Sequence, residues 1–166
     1  ADAVTAPVYP KPPIEYMEGI RLYHVQSRRR DEKRATDFLK RVLAFCRRSM
    51  LLLIQLQRLR RFDVIHVHNV PDFIILSAWF PKSHGARLIL DLHDLLPEFY
   101  QSKFHISTES LFFRALLAVE RISCQFAHHV IVSNHLWMEK VVGRSANAET
   151  TTTFVNHVDV ELFRPR

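Results

Sequence analysis

Three short apolar runs constrain this chain more than any other feature: Val64–His68, Arg87–Asp91 and His129–Val132. Each is rich in β-branched residues or leucine, and helix-length stretches separate them. Nearly continuous apolar runs of this length are the mark of strands buried on both faces, which occur in parallel sheets. The order strand, helix, strand, helix with short loops therefore predicts an α/β fold, a Rossmann-like parallel sheet with helices on both faces.

The rest of the chain fits around that frame. Ile20–Val25 alternates like a half-exposed strand, and Thr151–Val155 reads as a final one. Arg34–Phe62 is the longest helical pattern, with Phe38, Val42, Phe45, Leu52, Leu56 and Leu59 at helical spacing. Asn69–Asp72 supplies turn and cap chemistry ahead of an apolar helix over Phe73–Phe80. His93–Glu98 reads as a loop, because Pro97 blocks an immediate helix. Ser110–Phe126 is expected to be helical with Leu111, Ala115, Ala118 and Ile122 on one stripe. Ser133 and Asn134 cap a further helix running through Val142. The opening Ala1–Pro13 carries four prolines and no periodicity, so residues 1–19 read as an extended linker.

With 48% hydrophobic residues and three glycines, the chain is neither disordered nor low-complexity. No apolar run approaches the ~20 residues of a membrane-spanning helix, and the start lacks the pattern of a signal peptide. Cys46 and Cys124 lie in helical segments without metal-type spacing and read as small buried hydrophobes in a reducing cytosol. The net charge of +6 is unevenly spread: Arg28–Arg61 carries twelve Lys/Arg against three Asp/Glu, while the remainder is mildly acidic.

In open parallel sheets, ligands bind outside the carboxyl ends of the strands. Polar residues collect at those ends: His68-Asn69, Asp91, His93-Asp94, Ser133-Asn134 and Asn156-His157. His66 and His68 share a strand face, as metal ligands would. A catalytic metal site needs further ligands and an open position, and no familiar histidine spacing completes one, so no metal is expected. Gly-x-Gly-x-x-Gly, a Walker lysine loop and a Gly-x-Ser-x-Gly elbow are all missing from the sequence, which argues against dinucleotide, P-loop and acyl-transfer chemistry.

Phe62–Asn69 together with Leu88–Glu98 resembles the consecutive strand ends of family-four glycosyltransferases. Ile122–Asn134 is similar to the next such unit, and Asn156–Asp159 followed by Leu162-Phe163 to the turn before the interdomain linker. The most specific piece is Asp91-x-His93-Asp94-x-x-Pro97-Glu98. The resemblance implies two Rossmann-like domains facing a cleft, with transfer of a sugar from a nucleotide-sugar donor to a glycan or lipid-linked acceptor, retention at the anomeric carbon, and no metal or other cofactor. It places His93 against the transferring sugar and makes Asn69, Asp94, Glu98, Ser133, Asn134 and Asn156 candidates for substrate contact. A neutral imidazole suits the His93 position, because it can hydrogen-bond a hydroxyl and stabilise developing positive charge. His157 stands where the family usually has glycine.

On this reading residues 20–163 form part of an N-terminal, acceptor-side domain, and 164–166 begin the interdomain linker. The first strand unit is absent, which is expected to leave two unpaired edges inside the sheet and a chain that is inactive and poorly soluble alone. The basic segment reads either as a solvated face or as a surface for anionic membrane, with Arg41, Arg47, Arg48 and Arg58 as contacts. That gives a cytoplasmic protein, peripheral at the inner face of the membrane in the second case. No nucleic-acid signature is present. The alternative to an enzyme fragment is a non-catalytic Rossmann-like binding or regulatory module.

Overall fold

The computed structural model describes residues 1–7, 13–27, 35–69 and 71–155. Among the described residues, seven strands form two sheets. In the first, β1 (Asp2–Thr5) lies parallel to β3 (Ile20–His24), and β2 (Ile14–Met17) pairs antiparallel on the other side of β3. Glu18 and Gly19 turn the β2–β3 hairpin with φ of 49° and 79°. Two successive positive φ values match the right-handed strand twist, and a glycine at the second removes the steric penalty. The second sheet is wholly parallel in the order β4 (Val64–His68), β5 (Arg87–Leu92), β6 (His129–Val132), β7 (Thr151–Thr153).

The three apolar runs thus become adjacent parallel strands, as their composition predicts. Alternation then sorts their side chains. Leu88, Leu90, Leu92, Val130 and Val132 point to one face and are at most 2% exposed. That face packs against Ile75 and Ala78 of a 3-10 segment (Asp72–Ala78), Cys124 of α4 (Leu111–Phe126) and Val141 of α5 (His135–Arg144). Burial of such side chains stabilises by about 1.5–3 kcal/mol each. α1 (Ala35–Leu59) runs along α2 (Trp79–Ser83) and the 3-10 segment and sends Leu53 into the same cluster. The opposite face carries His66, His68, Ile89, Asp91 and Ile131, all half-buried or exposed.

Three local expectations change. Residues 1–19 are not merely a linker: Asp2–Thr5 and Ile14–Met17 are strands, since β3 offers both its edges to segments too short to show periodicity. Pro97 does not postpone a helix. It sits in the first turn of α3 (Leu96–Phe104), where its missing N–H has no partner to lose. Finally, the stripe through Leu111, Ala115, Ala118 and Ile122 faces solvent, with Leu111 81% exposed. The buried face of α4 is instead Phe113, Glu120, Ser123 and Cys124, because a buried Arg144–Glu120 ion pair lies there.

Among the described residues β1 pairs only with β3, and β4 only with β5. Their open edges both line a cleft of about 1550 Å³ backed by Val42, Phe45, Leu53 and Leu56 of α1. This is the pair of unpaired edges expected from the sequence. Arg60, just beyond α1, is tied to the first sheet, pairing with Asp2 at 2.8 Å and donating to the Tyr23 hydroxyl at 2.9 Å.

Candidate functional site

The carboxyl ends of β4 and β5 are joined by one buried side chain, Asn69, which is 9% exposed. Its backbone N–H donates to the Asp91 carbonyl at 3.0 Å, extending the β4–β5 ladder by one bond. Its Oδ1 accepts the N–H of His93 at 2.9 Å, and its Nδ2 donates to the Asp94 carbonyl at 2.6 Å and to Asp72 Oδ1 at 2.9 Å. The loop after β5 is therefore clamped from both sides at residues 93 and 94. Asn69, expected from the sequence at the ligand, is occupied in holding His93.

Asp72 anchors the clamp from below and is 2% exposed. Burial pushes its carboxyl up to about 6, reinforced by the nearby Glu120 charge and opposed by the Asn69 hydrogen bond and Arg144.

Above the clamp, Asp91 gathers three imidazoles. Parallel register sets His68 opposite Asp91, and strand alternation puts His66 on the same face. Asp91 Oδ2 lies 3.2 Å from His66 Nε2, 3.1 Å from His68 Nδ1 and 3.4 Å from His93 Nε2. His68 Nδ1 and His93 Nε2 are themselves 2.9 Å apart, and the three rings stack in sequence. Burial and the neighbouring His66 push the His68 pKa down against the pull of Asp91, favouring a neutral ring. Protons cannot satisfy every contact: facing nitrogens 2.9 Å apart share one hydrogen.

The remaining candidates divide. Asp94 is exposed beside His93, so these two and Asn69 form one group. Ser133 is half-buried at the end of β6, and Asn134 is the N-cap of α5, accepting the Trp137 N–H at 2.9 Å. Glu98 turns away to a structural partner: Arg144 holds both its oxygens, at 2.6 and 2.8 Å, and also grips the fully buried Glu120. Burial opposes ionisation of Glu98, but the Arg144 hydrogen bonds and charge prevail and hold its pKa below the ordinary value. Asn156 lies outside the described residues.

The basic segment also divides. Arg41 and Arg48 donate to the Ser27 and Val25 carbonyls and so bind α1 to the strand end of β3. Arg47 and Arg58 lie about a quarter-turn round the helix from that pair, both exposed, with Arg58 5.6 Å over the Phe80 ring.

Sequence reasoning missed the role of Asp91 and the Glu98–Arg144–Glu120 network. The first was recoverable from strand register; the second joins residues up to 46 apart and left no local signal.

Among solved structures, sucrose-phosphate synthase from Thermosynechococcus elongatus has a similar fold, with a TM-score of 0.69 at 17% identity. The alignment covers 99% of this chain and 40% of that one, so the chain spans well under half the length of this relative. No curated protein sequence matches the chain. Residues 1–157 match the glycosyl transferase 4-like domain. With nearly its whole length accounted for by that match, the chain belongs to the glycosyl transferase 4-like domain family.

Proposed function

We propose that this chain is the acceptor-side part of a glycosyltransferase that moves a sugar from a nucleotide-sugar donor to a glycan or lipid-linked acceptor with retention of anomeric configuration. The observation that carries this reading is the clamp on His93, whose backbone is fixed by Asn69 at the carboxyl edge of the sheet while its ring stays 40% exposed. A fixed backbone and an accessible imidazole are what a group needs to meet a sugar hydroxyl without reorganising as charge develops. Asp94, next in sequence and exposed, offers a carboxylate to an acceptor hydroxyl. The donor diphosphate is assigned to parts of the protein beyond this chain, and the transfer itself requires no metal.

The test is transfer by the intact protein from a panel of nucleoside-diphosphate sugars, with the product's anomeric configuration read by NMR. Retention and a selective loss of turnover in His93→Ala support the reading. Transfer with inversion, or an unaffected His93→Ala variant, removes it.

A second reading concerns α1. Its outward face interleaves exposed Leu39, Leu43 and Leu51 with exposed Lys40, Arg47 and Arg58. Exposed leucines among cations suit an anionic membrane surface, where apolar insertion and charge attraction add. This assigns Arg47 and Arg58 to the lipid, with Arg41 and Arg48 kept within the fold. No helix among the described residues is long and apolar enough to cross a membrane.

A further inference from the structure

We propose that His66, His68 and Asp91 form a binding site for one divalent transition-metal ion of the zinc type, with His93 at its rim. The argument is geometric. A tetrahedral zinc ion with bonds of about 2.0–2.1 Å needs its ligand atoms about 3.3 Å apart. Asp91 Oδ2 is 3.2, 3.1 and 3.4 Å from the three imidazole nitrogens. The donor atoms of His66, His68 and Asp91 lie within 4.8 Å of one another, and the His93 nitrogen stands beside them, 2.9 Å from that of His68. Two imidazoles and one carboxylate, with a fourth position open to water, are a donor set that suits zinc, nickel or copper rather than calcium or magnesium.

Proton bookkeeping points the same way. Of the facing His68 and His93 nitrogens only one carries the shared hydrogen, so the other turns a lone pair toward the Asp91 oxygen at 3.1 or 3.4 Å, acceptor against acceptor. A cation among His66, His68 and Asp91 takes up such lone pairs. The site is also preformed and open. Parallel register fixes His68 against Asp91, and Asn69 holds the backbone at both Asp91 and His93. The three rings are 40–61% exposed, so an ion enters without the sheet opening.

The site adjoins the His93 ring that the proposed sugar contact needs, so a bound ion and a sugar hydroxyl compete for the space there. Metal binding itself does not depend on that function and is measured without any sugar.

The experiment is calorimetric titration of the chain with zinc chloride, paired with cobalt(II) absorption to read coordination geometry. One ion per chain and the intense visible bands of tetrahedral cobalt are expected. Replacing His66 with Asn or Asp91 with Asn should each weaken zinc binding at least tenfold. His135→Gln, at an exposed position on α5, should leave it unchanged. Circular dichroism establishes that each variant is folded, and because His66 is exposed its replacement leaves the core intact. No saturable binding, or binding indifferent to both His66→Asn and Asp91→Asn, overturns the assignment.

Discussion

Replacing Asp72 with Asn tests the electrostatics beneath the site in a way that separates charge from packing. Asp72 is 2% exposed, and its carboxyl is pushed from an ordinary 3.8 up to about 6. At ~1.4 kcal/mol per unit, a shift of this size makes the ionised side chain about 3 kcal/mol less favourable folded than unfolded. The folded pKa is raised, so the penalty is present in full above pH 6, shrinks as pH falls, and vanishes below the unfolded value. At pH 8 wild type bears nearly all of it, and at pH 5 about half. Asn keeps an acceptor for Asn69 Nδ2 but brings a second donor that finds no evident partner, which costs about 1–3 kcal/mol at any pH. The net effect at one pH is therefore a small difference of two larger quantities. The change in that effect with pH is not: as pH rises from 5 to 8, Asp72→Asn should gain about 1–2 kcal/mol on wild type. Urea unfolding of dilute protein, followed by circular dichroism at both pH values, measures it. Parallel pH dependence in the two proteins would refute the assignment of a raised pKa to this residue.

Other consequences follow from the same interactions. Arg144→Leu strands the fully buried Glu120 carboxylate and should destabilise by about 3–5 kcal/mol in urea unfolding. Glu98→Gln, at a half-buried position, should cost less; and because the Glu98 pKa is held below 4.5, its contribution is present above that pH and lost as acid protonates it. Cys124 is 4% exposed with its thiol pushed up to about 12 by burial, so a thiol reagent should modify Cys46 well before Cys124 in the native chain. The open β1 and β4 edges should drive concentration-dependent self-association, and Val64→Lys, at a 54% exposed edge position, should slow it in light scattering. Vesicles containing phosphatidylserine should bind the chain more than neutral ones, with Arg47→Glu and Arg58→Glu abolishing the difference; equal binding to both vesicle types would remove the membrane reading.

What the sequence disclosed depended on how local the cause was. The parallel core sheet was legible because Val64–His68, Arg87–Leu92 and His129–Val132 carry their strand character in their own composition, although only one face of the sheet is buried. The N-cap at Asn134 was legible for the same reason, since a cap acts within three residues. β1 was not, because four residues of modest apolarity become a strand only when β3 lends them an edge. The buried face of α4 was misassigned because Glu120 counts as polar until Arg144, 24 residues on, neutralises it. At the site, His93 stood out through its motif, whereas the role of Asn69 as its clamp and of Asp91 as the hub of three histidines emerges only from the register between β4 and β5.

On the proposed function, His93, held by Asn69, meets the sugar during transfer. The direct measurement compares turnover and donor affinity in the intact protein for wild type, His93→Ala and Asn69→Ala. Loss of one preorganised polar group at a reacting centre costs about 10²–10³ in rate. His93→Ala should therefore lose turnover on that scale while binding the nucleotide-sugar donor with unchanged affinity, and Asn69→Ala should fall between it and wild type. Full turnover in His93→Ala, or a loss traced wholly to donor binding, would rule out that role for His93.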